Sequence, residues 1–168
     1  MSTLPSESRP NAERMSLIES VTRDAAGVLG VDLVKDGPDD IVPKIDATIV
    51  EMVFGRPTSI SKEEEEPDLL LGCLWGAQMV REFGWAWADM QFPDGVDVAV
   101  VSPERDIVIY PFTFVAECLA KRRICTVELS FNMLSGRRAE MVFPPKSYED
   151  VMMHIIHIIP PYTLDEIG

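Results

Sequence analysis

"LLLGCLWGAQMVREFGWAW", residues 69–87, decides how this chain is read. Three leucines open it, Gly72 and Gly76 stand four apart, and Trp75, Trp85 and Trp87 are all the tryptophans of the protein. Membrane helix, helix–helix contact, ligand pocket and globular core compete as readings. The apolar run falls short of the ~20 residues a membrane helix needs. From Leu69 to Ala77 the pattern is apolar on nearly every side, as in a helix buried within a fold. Gln78, Arg81 and Glu82 then restore a polar face. Each helical glycine costs about 1 kcal/mol relative to alanine. Close approach of another element must offset that, so Gly72 and Gly76 read as a close-packing seam.

The limits of this helix are written on either side of it. Pro67 suits a first helical position, where a missing N–H costs little. Ahead of it "SKEEEE" carries a capping-box pattern, Ser61 with Glu64, and reads as a loose acidic turn. Consecutive glutamates diverge around a helix and so do not converge on one metal ion. Gly84 ends the helix, and the period then changes. Trp85, Trp87 and Asp89 alternate with Ala86, Ala88 and Met90. "DVAVV" and "DIVIY" follow, separated by short turns, "FPDG" and "SPERD". The simplest assembly is an antiparallel meander of about three strands, near 85–92, 96–102 and 106–110.

Upstream, Met15, Ile18, Val21, Ala25 and Val28 recur at helical spacing from about Ala12 to Leu29, with Gly30 as terminator. A second helix runs from Asp39 or Asp40 through Ile45, Ile49 and Met52 to Gly55, with Pro43 near its first turn. Downstream, Pro111 opens a helix closed by Lys121, Arg122 and Arg123. "TVELSFNMLSG" fits both periods; Thr126 as cap, Glu128 in the first turn and Gly136 as terminator favour a helix. "EMVFPP" suggests a short edge strand, and "SYEDVMMHIIHII" a last helix capped by Ser147 and ended by Pro160 and Pro161. The fold class expected is α+β: helices packed on a small antiparallel sheet, around a buried central helix. Residues 1–12 read as a disordered tail and 13–168 as a single domain.

Composition narrows function. Hydrophobic residues make up 46% and charged residues 26% of 168, a globular balance. Fifteen basic against 28 acidic residues leave a net charge of −13. Such a surface repels phosphate backbones and anionic lipid, so neither nucleic acid nor membrane is an expected partner. A basic protein is the partner an acidic face suits. The basic residues Lys121, Arg122, Arg123, Arg137 and Arg138 read as helix-end charges complementing the macrodipole. Cys73, Cys118 and Cys125 are odd in number, lack a CxxC spacing and sit in apolar surroundings, which suggests free buried thiols in a reducing cytoplasm. The first residues, "MSTLPSESRPNAER", lack the apolar core of a secretory signal.

No phosphate-binding glycine loop and no GxSxG elbow is present. The only histidines are His154 and His157. With Asp150 they share one helix face, the weak candidates for a metal; structural histidines are the preferred account, and no cofactor is expected. Trp75, Trp85 and Trp87 are the candidates for a ligand pocket or a partner interface, against the plainer reading that they pack the sheet onto the helix.

The segment from about Leu70 to Leu119 resembles small uncharacterised bacterial domains. The residues that carry the resemblance are "LGCLWGAQMVREFGWAW" and "AVVSPERDIVIYPFTFVAECL": a glycine-spaced helix, a "GWxW" strand entry, an "SP" turn and "YPF" leading into a helix. Some domains of this kind act as immunity proteins, which bind a toxin without chemistry; the resemblance carries over no catalytic residue. The expectation is a non-catalytic cytosolic binding protein, with a basic protein partner or self-association through Gly72 and Gly76. The alternative is a small-molecule-binding domain or enzyme with its pocket between the central helix and the sheet.

Overall fold

The computed structural model describes residues 4–60 and 66–158. The Ser61–Glu64 capping pattern and the ending at Pro160 and Pro161 lie outside the described residues. The chain opens with β1 (Ser6–Ser8), then α1 (Ala12–Leu29), α2 (Pro38–Val53) and α3 (Pro67–Phe83). β2 (Ala86–Phe92), β3 (Gly95–Val101) and β4 (Ile107–Ile109) follow, then α4 (Pro111–Lys121), α5 (Thr126–Gly136), β5 (Glu149–Asp150) and α6 (Val151–Ile155). No helix among the described residues is long and apolar enough to cross a membrane.

Local chemistry sets the helix ends. Asn11 caps α1, its side-chain oxygen accepting from the Arg14 amide at 2.8 Å. Gly84 closes α3 with φ 69°, a left-handed value that costs glycine nothing, and its N–H reaches the Val80 carbonyl at 3.1 Å. Proline stands at the start of α2, α3 and α4. α2 begins at Pro38, earlier than the aspartates suggest, so Pro43 falls inside the helix rather than in its first turn. The ambiguous stretch from Thr126 is helical.

The sheet corrects the expected three-stranded antiparallel meander. Among the described residues it has five strands in the order β1-β2-β3-β4-β5, antiparallel except for the parallel pair β4–β5. The two added strands span three and two residues, too short to show a period. Long-range contacts recruit them instead. Residues 4–10, read as tail, are tied down: Ser6–Ser8 pairs with β2, and Glu7 takes a two-pronged grip from Arg105 at 3.0 and 2.9 Å. At the far edge the amides of Lys146, Tyr148 and Glu149 donate to the carbonyls of Glu104, Arg105 and Asp106. The expected edge strand "EMVFPP" is not one; a 3-10 turn covers Arg138–Glu140. Asp150, not Ser147, caps the last helix, accepting from the Met152 amide at 3.2 Å.

Cross-strand partners share a face. Trp87, Val100 and Ile109 turn to one side and enter the main core with the helices. Ala88, Met90, Ala99, Val101 and Val108 turn to the other and form a second buried cluster with Phe92, Tyr110 and Tyr148. Apolar residues on both faces explain why β4 reads as an unbroken "IVI". α3 packs against α1, α2, α4, β2 and β3.

Candidate functional site

The glycine seam is occupied by the chain itself. A β-carbon on Gly72 would stand 2.5 Å from Cδ1 of Phe112 and 3.1 Å from the Phe112 backbone nitrogen. One on Gly76 would stand 2.5 Å from Cζ2 of Trp87. No real β-carbon tolerates such approaches, so α4 and β2 close on α3 only because both positions lack a side chain. The Phe112 and Trp87 rings stack above the seam, centroids 6.0 Å apart. A second subunit therefore finds no free backbone at Gly72 and Gly76.

The three tryptophans do not converge. Trp75 is fully buried against Phe114, and its indole N–H lacks a hydrogen-bond partner among the described residues. Trp85 packs on Phe83, which meets Phe131 in turn. Trp87 lies over Gly76. Each fills a different part of the core, and none lines the cavities described below.

His154 and His157 are not brought together with a further ligand among the described residues. His154 is exposed, 3.3 Å from Glu149 and beside the Phe143 ring; His157 is exposed too. Asp150 is spent on its helix cap, and burial raises its pKa to about 6. Among the described residues no group of three His, Cys, Asp or Glu side chains is placed to hold a metal ion. Cys73 and Cys118 are buried and their thiols pushed up to about 12 and about 11 by burial, so neither is a ready nucleophile. Cys125 departs from the expected buried thiol: it is exposed, at φ 64°, in the turn that enters α5.

Two carboxyls, Asp106 and Asp46, are buried. Asp106 accepts from the Ser102 hydroxyl at 2.7 Å and from Arg138 at 2.9 and 3.0 Å, joining the β3–β4 turn to the segment after α5. Arg138 thus serves an ion pair rather than a helix end. Asp46, in α2, faces the start of α5. Desolvation and the Glu128 carboxylate raise its pKa to about 6, against the amides of Glu128 and Val127, which lower it. Neither Asp46 nor Asp106 lines one of the surface cavities described below.

The surface that opens outward lies where α1 meets the first turns of α3. One concavity, about 450 Å³, is walled by Leu17, Ile18 and Val21 of α1, Leu69 and Cys73 of α3, Val98 of β3 and Phe112 of α4. A second, of about 810 Å³, shares Val21 and Leu69 with it and adds Arg23, Asp24, Val28, Glu66 and Leu70. A third, about 400 Å³, shares Phe112 and adds Asp68, Thr113 and Glu117. Adjoining through Val21, Leu69 and Phe112, they form a groove lined by both apolar and polar side chains. Its walls carry Glu13, Asp24, Glu66, Asp68 and Glu117 against Arg14 and Arg23. Arg14 is already paired with Asp89 at 3.0 Å. Leu17 is 57% exposed at the rim.

Sequence reasoning singled out none of these groove residues as a site. Two signals were available: Leu17 lies off the buried stripe of α1, and the glutamate run ends at Glu66 beside Asp68. The convergence of α1, α3, β3 and α4 is not written in any local pattern. Comparison with known proteins brings no family model, no curated relative and no solved structure that matches this chain.

Proposed function

We propose that this chain is a non-catalytic binding protein whose groove between α1 and α3 takes a basic protein partner, in the manner of an immunity protein. One observation carries the reading: the apolar concavities are walled by five carboxylates and two guanidiniums, in a protein of net charge −13. The long-range field speeds encounter with a basic surface. The apolar part of the lining supplies the desolvated contact that makes an encounter last. Free thiols at Cys73, Cys118 and Cys125 suit a reducing cytosol.

The test is to pass a mixed peptide pool over the immobilised chain and sequence what is retained. Basic peptides with an apolar residue should be enriched, and Leu17→Asp should abolish the enrichment while leaving the circular dichroism spectrum unchanged. Equal retention of acidic and basic peptides would overturn the reading.

A second reading, a small-molecule site, draws on the concavity lined by Leu17, Ile18 and Phe112. Its volume of about 450 Å³ falls in the range of ligand pockets, ~300–1,000 Å³. Apolar small molecules that raise Tm in the natural chain but not in Leu17→Asp would favour it.

A further inference from the structure

We infer that the partner segment presents one apolar side chain flanked on both sides by cationic residues; the inference rests on the proposed basic-partner reading. The first of these concavities shares residues with both of its neighbours, and those two share none with each other. The apolar cavity therefore adjoins two depressions that carry carboxylates. In one stand Asp24 and Glu66, with Arg23 beside them. In the other stand Asp68 and Glu117, the latter 4.0 Å from Lys121. Thr113, which lines that depression, donates its hydroxyl to Asp97 at 2.9 Å.

The spacing follows from helix geometry. Leu17 at the cavity and Asp24 beyond it are seven residues apart along α1, roughly 10 Å. Phe112 and Glu117 are five apart along α4, roughly 8 Å. An extended chain advances about 3.3 Å per residue, so cations two or three positions either side of the anchor reach both depressions. The polar groups beside the cavity oppose a charged anchor. Glu13 disfavours an acid there, and Arg14, held by Asp89, disfavours a base. An uncharged side chain such as Phe or Leu fits the walls of Leu17, Ile18, Leu69, Val98 and Phe112.

The experiment titrates the full chain with acetylated Lys-Ser-Ser-Phe-Ser-Ser-Lys and follows amide shifts by NMR. The comparison peptides carry Ser for the central Phe, Ser for either Lys, or Glu for both. The central-Phe, two-lysine peptide should bind at least tenfold tighter than each of the others, with shifts at Leu17, Leu69 and Phe112. The surface double variants Asp24→Lys/Glu66→Lys and Asp68→Lys/Glu117→Lys should each remove most of that advantage. If the Ser-centred peptide binds equally well, the anchor is wrong while the basic-partner reading stands. If no lysine peptide outbinds its glutamate version, both fall. Self-association of the free chain that either double variant abolishes would make a second copy the occupant and overturn the inference.

Discussion

Asp106, in the turn between β3 and β4, and Asp46, midway along α2, are buried to nearly the same depth, 2% and 3% exposed. Desolvation presses on both, yet the two carboxyls end on opposite sides of their ordinary value. Ser102, Arg138 and the Phe143 amide surround Asp106 and hold its pKa down against burial. Glu128 repels Asp46, and the Asp46 Oδ1 lacks a partner among the described residues. Partners, not depth, decide whether a buried acid stays charged. The Asp106 cluster ties together segments remote in sequence, whereas Asp46 serves as a distant cap for α5, whose own first-turn neighbour Cys125 supplies no side-chain cap.

The contrast breaks most severely at Arg138. Arg138→Met leaves Asp106 buried without its cation. We expect a loss of about 2–3 kcal/mol in urea unfolding at pH 7, below the 3–5 of a fully buried pair because Arg138 is 31% exposed. A loss under about 0.5 kcal/mol would mean that Ser102 and the backbone suffice to hold the charge.

Next comes the pH dependence. Asp46 has a folded pKa of about 6 against an ordinary 3.8. The folded state therefore binds its proton more tightly than the unfolded one. Its contribution grows as pH falls through about 6 and is complete near the ordinary value. Asp150, also raised to about 6, acts in the same direction. Asp106 and Glu7, both lowered, act oppositely and lose stability as pH falls below the ordinary carboxyl range. Tm should thus peak between about pH 4 and 6. Asp46→Asn should be more stable than the natural chain at pH 7.5, by about 1–3 kcal/mol, and should lose that advantage near pH 4.5. A variant that tracks the natural chain in parallel at every pH would show that Asp46 is not the titrating group.

The smallest effect is expected at Glu7. Its pair with Arg105 is part-exposed, at 21% and 31%, and also takes the Tyr148 hydroxyl at 2.8 Å. Glu7→Gln should cost under about 1 kcal/mol globally. It should nonetheless speed hydrogen exchange at the Ser6 and Ser8 amides, because β1 has only three residues of its own. Unchanged exchange there would mean that the backbone pairing alone holds the strand.

Much of the fold is legible where the signal is local. The α1 limits, the Pro67 start, the Gly84 stop and the β2–β3–β4 hairpins follow from periodicity and from proline and glycine chemistry within a few residues. β1 and β5 are not legible: Glu7 meets Arg105 across 98 positions, and Glu149 pairs with Ile107 in a strand of two residues. The groove escaped for the same reason. Leu17, Leu69, Val98 and Phe112 come from four elements and share no spacing. The tryptophans follow the plainer reading, packing within the main core, because their size marks burial rather than a shared pocket.

For residues 69–87 the division is clear. By itself the sequence determined that a helix runs from Pro67 to Phe83 and that its glycines need a close neighbour, because proline, glycine and apolar spacing act within one or two turns. Only the tertiary structure decided what that neighbour is. Phe112 from α4 and Trp87 from β2 fill the places the glycines leave open, and that choice depends on how distant segments pack rather than on any residue's own preference.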